Sequence, residues 1–383
     1  MAALFFALTL FLMTLWRFGA NQCLILAVLA VFFTPSMRQQ LFSKAYLKQP
    51  VFIAIYVFLA WALMTVSYSQ ASTVWHALEG LKGYAKLLLF LIVPLAIVQE
   101  KSRYWVEQGL ILGVLINVIL STLYFFHLFV PQLAPHLSMN ITFEINPLQL
   151  IFVVIVALWI LAVRLIERRF AWHDVLIFAI LLIYLLLINL ERSGYLLFMV
   201  LALVLAWQYG SKKWFVILAC LLPVLCIGLY FAVPGIKARV NLGVQNVEAF
   251  SQVQNINEIG SDNSLGLRLA FAVASFHELR LHPFLGTGIG SFKTVYDRDL
   301  NPSPTTIVIN DPHNAYTYAG FELGLIGLAL YVFCLYRLFP RVAKAQGVWW
   351  AFVLMGFLDS GLVLNAVALG FIALTGIYLE KES

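Results

Sequence analysis

Apolar residues fall in long runs along this chain, near 3–16, 20–35, 51–69, 80–98, 105–131, 147–165, 172–190, 193–209, 213–233, 314–338, 347–358 and 360–379. About twenty apolar residues are what a helix needs to cross the hydrocarbon core of a bilayer. A helix also satisfies its own backbone polar groups there. The pattern predicts an all-α polytopic membrane protein of about twelve transmembrane helices in a single domain, 1–383. The count is eleven or twelve, because the first two runs are short and the last two part only around Asp359–Ser360.

One polar interruption is long. Residues 234–313 begin with Pro234-Gly235, are rich in Asn, Gln, Ser and Asp over 241–264, and then turn helical over Leu265–Leu281. Leu265, Leu269, Val273 and Phe276 recur at helical spacing, which predicts a face packed on the membrane domain. A glycine-rich turn region follows. The segment reads as one large loop with short helices between the ninth and tenth spans, and a loop of this length is usually functional.

Composition agrees. Of 383 residues 62% are hydrophobic and 11% charged, with a mean hydropathy of +0.92, so water cannot be the solvent for most of the surface. The net charge of +6 could suggest nucleic acid, but the cations are scattered through short loops. They follow the rule that cytoplasmic loops are basic. With the N-terminus in the cytoplasm, the inner loops carry Arg38, Lys44 and Lys48; Lys101 and Arg103; Arg164, Arg168 and Arg169; Lys212 and Lys213; Arg337, Arg341 and Lys344; and Lys381. The short outer loops carry only Arg17 and Arg192. Both termini are then cytoplasmic and 234–313 lies outside. Cys23, Cys220, Cys226 and Cys334 lie in apolar runs without metal or disulfide spacing. The apolar N-terminus lacks a basic flank and reads as a retained first helix.

The chemistry-bearing residues gather on the outer side. Asp311-Pro312-His313-Asn314 precedes an apolar run, with Gly324 and Gly327 downstream. Arg192 sits in a tight Glu191–Gly194 turn between two runs, where an ionisable residue is a functional candidate. Lys82 and Lys86 share a helix face. Arg268 lies on the loop helix, and His282-Pro283 leads into Gly286, Gly288 and Gly290.

His-Asn, nine residues, Gly, two residues, Gly resembles the motif of the bacterial O-antigen ligase family. Arg268 with the His282–Phe292 run, and Glu191–Gly194, resemble further turns of the wider ligase and polymerase superfamily. The resemblance is firm from about 180 to 330. It implies a GT-C-like membrane glycosyltransferase with no cofactor and no metal. A preassembled glycan would pass from undecaprenyl diphosphate to lipid A–core at the periplasmic face of the bacterial inner membrane, by direct, inverting displacement. His313 would act on the acceptor hydroxyl, its neutral pKa suiting a base. It could instead hydrogen-bond a phosphate or a sugar. Arg192, Arg268 and Lys86 would hold the diphosphate.

Plainer readings stand beside these. Asn314 could simply cap a helix. Arg192 could pair with Glu191. His282 and Gly288 could belong to a structural turn or a phosphate cradle. Arg280 and Lys293 read as surface charges. Asp297-Arg298-Asp299 has an Asp-x-Asp pattern, which arises often by chance. The relatives by chemistry are O-antigen polymerases, with two large outer loops, and protein O-oligosaccharyltransferases, with an extra soluble region. A transporter of the same lipid would spread charge along several spans and often repeat its halves. Expected partners are the lipid-linked glycan, the lipid A–core acceptor and membrane lipids, with no nucleic acid. Oligomeric state is open.

Overall fold

The structure is a computed structural model, and it describes residues 1–128, 146–167, 171–189, 191–232, 234–252, 264–300 and 311–379. The short outer loop over 132–146 falls almost wholly outside these, as do Arg168, Arg169, Lys381 and the side chain of Asp299. No strand occurs among the described residues.

The first half comprises α1 (Ala2–Leu12), α2 (Arg17–Phe33), α3 (Pro35–Leu41), α4 (Lys44–Leu47), α5 (Pro50–Thr65), α6 (Val74–Ala85), α7 (Val93–Ala96), α8 (Glu100–Phe125) and α9 (Pro147–Ile166). The second comprises α10 (Trp172–Ile183), α11 (Arg192–Tyr209), α12 (Lys212–Ala232), α13 (Pro234–Gln252), α14 (Ser264–Leu281), α15 (Phe292–Val295), α16 (Ala315–Arg337), α17 (Ala343–Leu358) and α18 (Asn365–Gly376). Among the described residues six helices are long and apolar enough to cross a membrane, or seven if the bent pair α2 and α3 is one span. Ala2–Leu12, Trp172–Ile188 and Asn365–Gly376 are apolar but shorter.

Helix α9 is the hub. It is apolar all round, and a helix of that kind is stable only when enclosed. Residues Leu148 to Leu161 are all buried, and α8, α10, α11, α17 and α18 pack around it. Helix α1 crosses α8 at Gly109-Leu-Ile-Leu-Gly113. A side-chain carbon on either glycine would stand 2.3 Å from a carbonyl oxygen of α1, Ala7 or Phe11. Small residues four apart permit this close approach where no water drives helices together.

Three expectations are corrected. The run 80–98 is not one helix. It breaks into α6, a 3-10 turn over Lys86–Leu91, and α7 with Pro94 in its first turn. Proline lacks the amide that would continue the helix. The polar stretch from 241 begins inside a helix, since α13 runs from Pro234 to Gln252. On α14 the predicted apolar face is not the packed one. Val273 and Phe276 are exposed, while Ala270, Phe271, Ala274, Ser275 and Glu278 are buried. Small residues let α14 approach α16 closely, and the bulkier side chains turn outward.

The helices alternate between two ends. Ser69, Ile289, His313 and Asp359 meet at one, the site end. At the other, Glu107 accepts from Arg164 at 2.8 Å, Lys344 at 2.8 Å and the Tyr378 hydroxyl at 2.7 Å. This buried knot joins α8, α9, α17 and the segment after α18. Arg164 and Lys344 make this the basic end, and Arg38, Lys44 and Lys48 lie toward it, before the start of α5.

Candidate active site

The site is built on a turn that the glycines make possible. After α14 the chain crosses the start of α16 and returns to α15. The amides of Thr287 and Gly288 donate to the carbonyls of Phe321 and Glu322 at 2.9 and 2.8 Å. The Ile289 amide reaches the Thr65 hydroxyl at 3.3 Å. Glu322, fully buried, accepts the Phe292 amide at 3.3 Å. Gly288 has a φ of +89°, and a side-chain carbon there would lie 2.3 Å from Ser69 Cα. Its amide is spent within the fold, which is the behaviour of a structural turn more than of a phosphate cradle. Beneath the turn, Phe271, Phe292, Val295, Tyr296, Tyr318 and Phe321 form a second small apolar core that ties α14 and α15 to α16.

Asn314 caps α16. Its side-chain oxygen accepts the amides of Tyr316 and Thr317, each at 3.0 Å, as the first turn of a helix requires. The preceding residue, His313, is held at a φ of +51°, a left-handed conformation costing a non-glycine residue about 1–2 kcal/mol. Three contacts hold it there. Its amide donates to Asp311 at 2.9 Å, its Nδ1 lies 3.1 Å from Asp359 Oδ1, and its ring stands 6.3 Å from that of Phe271. Asp359 is 1% exposed and comes from the break between α17 and α18. Ser360 donates its amide to Asp359 and its hydroxyl to Asp311, closing the group.

The Asp359 hydrogen bond raises the His313 pKa above its ordinary value; burial opposes this, the Asp311 and Asp359 charges add to it, and Arg268 opposes it. The last effect places the Arg268 guanidinium within electrostatic reach of the imidazole.

Asp311 also lines a cavity of about 960 Å³. One wall is a stripe of α6, with His76, Glu79 and Lys82, continued by Lys86 in the turn after it; across from it stand Lys293, Thr294, Asp297 and Arg298. The Lys86 ammonium donates to the carbonyls of Leu362 and Val363 at 2.8 and 3.0 Å, so two of its three hydrogens are fixed. Asp297 pairs with Lys293 at 2.8 Å. Asp311, His313 and Asp359 offer one ligand atom each within 4.8 Å of one another, a spacing that could admit a cation.

Not every candidate converges. Arg192 does not line this cavity. Its guanidinium lies against α13, where a side-chain carbon on Gly243 would be 2.5 Å from it. His282 is exposed beside the glycine turn and does not line the cavity either. Asp359 is a site residue that motif reasoning did not single out.

Residues 176–332 match a family model described as O-antigen ligase. That stretch is similar to the O-antigen ligase family. It contains Arg192, Arg268, His282, Gly288, His313 and Asn314, whereas Lys82, Lys86 and Asp359 lie outside it. A comparison with curated proteins found no match. The family assignment agrees with the resemblance carried by the His-Asn and glycine motifs. It supports a membrane glycosyltransferase of the ligase and polymerase type.

Proposed function

We propose that the protein is an O-antigen ligase, moving a preassembled glycan from undecaprenyl diphosphate onto a sugar hydroxyl of lipid A–core. The observation that carries this reading is the placement of His313. It is braced by Asp359 and Asp311, has Arg268 within electrostatic reach, and adjoins a cavity floored by Lys82 and Lys86.

The chemistry follows from these groups. With Nδ1 directed at a buried carboxylate, Nε2 is left to take the acceptor proton. The acceptor oxygen attacks the anomeric carbon, the carbon–oxygen bond to the diphosphate breaks, and its electron pair leaves with the diphosphate. Lys86 and Arg268 stabilise that departing charge, and Arg192 meets it if α13 moves aside. A single direct displacement inverts the anomeric centre and needs no metal. In this reading the chain is one domain of about twelve spans in the bacterial inner membrane. Both termini and the basic end face the cytoplasm, and 234–313 is the large loop on the periplasmic side.

The test is transfer by the purified full chain in liposomes, given lipid-linked glycan and lipid A–core. Transfer is expected, and His313→Ala should lower its rate by roughly 10²–10⁴, the range of a general base. Arg268→Ala should lower it as well. Product with repeat-unit acceptors alone would make it a polymerase. Product on serine or threonine of a protein would make it a protein O-oligosaccharyltransferase. Lipid movement without transfer would make it a transporter.

A further inference from the structure

The basic end carries a feature with no part in the transfer chemistry. Helix α3 meets α2 at 89°, the bend falling at Thr34-Pro35. If α2 crosses the membrane, α3 must then run along its surface, as interfacial helices do. Below the bend lies an open cavity of about 700 Å³, lined by Pro35, Arg38, Gln39, Phe42 and Ser43. It offers a guanidinium, an amide and a hydroxyl, the donor types that suit a phosphate. Phe42 in its lining is 60% exposed and tilted against Phe32, with 6.1 Å between ring centres, and Phe33, beside the bend, is 78% exposed.

Charge at this elbow is unbalanced. Arg38, Lys44 and Lys48 are exposed, and the chain has no carboxylate before Glu79. None of the three enters an ion pair among the described residues. Two other basic-end cations are treated differently, since Arg164 and Lys344 both pair with Glu107. The elbow also stands at the opposite end of α5 from the glycine turn, about 24 Å away by the rise of its sixteen residues.

We propose that this elbow binds the phosphate of an anionic phospholipid, with Arg38, Gln39 and Ser43 around the headgroup and Phe33 and Phe42 against its acyl chains. A free phosphate would satisfy the donors but leave those two rings in water. A zwitterionic lipid would leave the three cations uncompensated. The site does not depend on the transferase reading and holds whichever reaction occurs at the other end.

The test uses the full chain in micelles with equal phosphatidylglycerol and phosphatidylcholine, with retained lipid counted by native mass spectrometry. The wild type should retain phosphatidylglycerol preferentially. Arg38→Gln, Lys44→Gln and Lys48→Gln should each lower that preference roughly fivefold, from about 1 kcal/mol for each cation near an anionic surface. All three side chains are exposed, so the fold does not depend on them. Phe42→Ser, which keeps the charge, should also weaken retention. An unchanged lipid ratio in the triple variant would overturn the proposal, leaving these cations as determinants of orientation alone. Equal loss in a Lys212→Gln/Lys213→Gln control would overturn it in favour of diffuse charge. Displacement of the lipid by millimolar glycerol phosphate would overturn the acyl-chain part.

Discussion

His313 Nδ1 stands 3.1 Å from Asp359 Oδ1, a carboxylate forty-six positions further along the chain and almost wholly buried. A buried carboxylate is costly unless it is hydrogen-bonded. Here it receives the imidazole and the Ser360 amide. The pairing fixes the ring orientation and favours the tautomer protonated at Nδ1. Asp359 is therefore a positioning residue for whatever His313 does.

Asp359→Asn tests that role. The hydrogen bond from Asp359 is the main reason the His313 pKa is raised. A base works when neutral, so the acidic limb of the wild-type pH–rate profile should lie above the ordinary histidine value. In Asp359→Asn the limb should move to lower pH, and the plateau rate should fall because the tautomer is no longer fixed. Stability runs the other way. A raised folded-state pKa stabilises the fold fully below the ordinary histidine value, and that contribution is lost as pH rises through the folded value. Wild-type thermal unfolding should show that loss and the variant less of it. A limb that stays in place would remove Asp359 from the mechanism.

Gly286→Ala should destabilise the site end. Gly286 has a φ of +69°, and a side-chain carbon there would lie 2.5 Å from the Gly324 amide nitrogen and 2.6 Å from the Glu322 carbonyl. Those are backbone atoms, so no rotamer change relieves the clash. With the left-handed penalty for alanine the loss should be at least about 2 kcal/mol. Gly228 on α12 is the control, since nothing lies within 4 Å of it. Gly228→Ala should be neutral or slightly stabilising, as expected for alanine in a helix. Equal shifts in unfolding temperature for the two would show that the turn is not tightly packed.

Much of this is legible in the sequence, for physical reasons. Hydrophobic runs locate helices because the bilayer demands them, and Arg164 and Lys344, from two separate basic stretches, meet at Glu107. The His313–Asn314 motif coincides with the cap of α16, which sets the imidazole beside Asp359. Asp359 was visible only as a break between two apolar runs. Its partner lies in a different loop, and pairing across loops leaves no local pattern. The breakage of 80–98 was hidden because a 3-10 turn and a helix show the same apolar content. The inward face of α14 was misjudged because periodicity favours the largest apolar side chains, whereas close helix contact selects the smallest. Arg192 shows the limit of depth as a criterion, since its surroundings at Gly243 depend on how α13 folds back.

Glu107→Ala should be strongly destabilising yet leave chemistry intact. The carboxylate lies between Arg164, itself 4% exposed, and Lys344, with Tyr378 on its second oxygen. Its removal leaves Lys344 without its counter-charge and Arg164 with Asp174 alone, 3.7 Å away, and breaking such a buried group costs about 3–5 kcal/mol. The knot is at the basic end, so the transfer rate per folded molecule should change less than twofold. A companion variant, Glu107→Leu with Lys344→Met, which leaves Arg164 paired with Asp174, should recover part of the loss, because apolar packing often replaces a buried ion pair. A large drop in rate at unchanged stability would instead connect this knot to the reaction.

The last prediction concerns metal. Asp311, His313 and Asp359 have the spacing to admit a cation, so a divalent ion at the imidazole is a concrete rival to general-base catalysis. The hydrogen bonds argue against it. Asp359 Oδ1 already accepts from His313 and the Ser360 amide, and Asp311 Oδ1 from the His313 amide and the Ser360 hydroxyl. A metal would have to displace those donors, and coordination at Nδ1 would require that nitrogen to give up its proton. The loss of the Asp311 contact would also release the left-handed backbone at His313. Transfer should therefore continue unchanged in excess chelator, and added magnesium or manganese should alter the rate less than twofold. Abolition by chelator, with recovery on adding back a divalent ion, would make the trio a metal centre and displace His313 as the base.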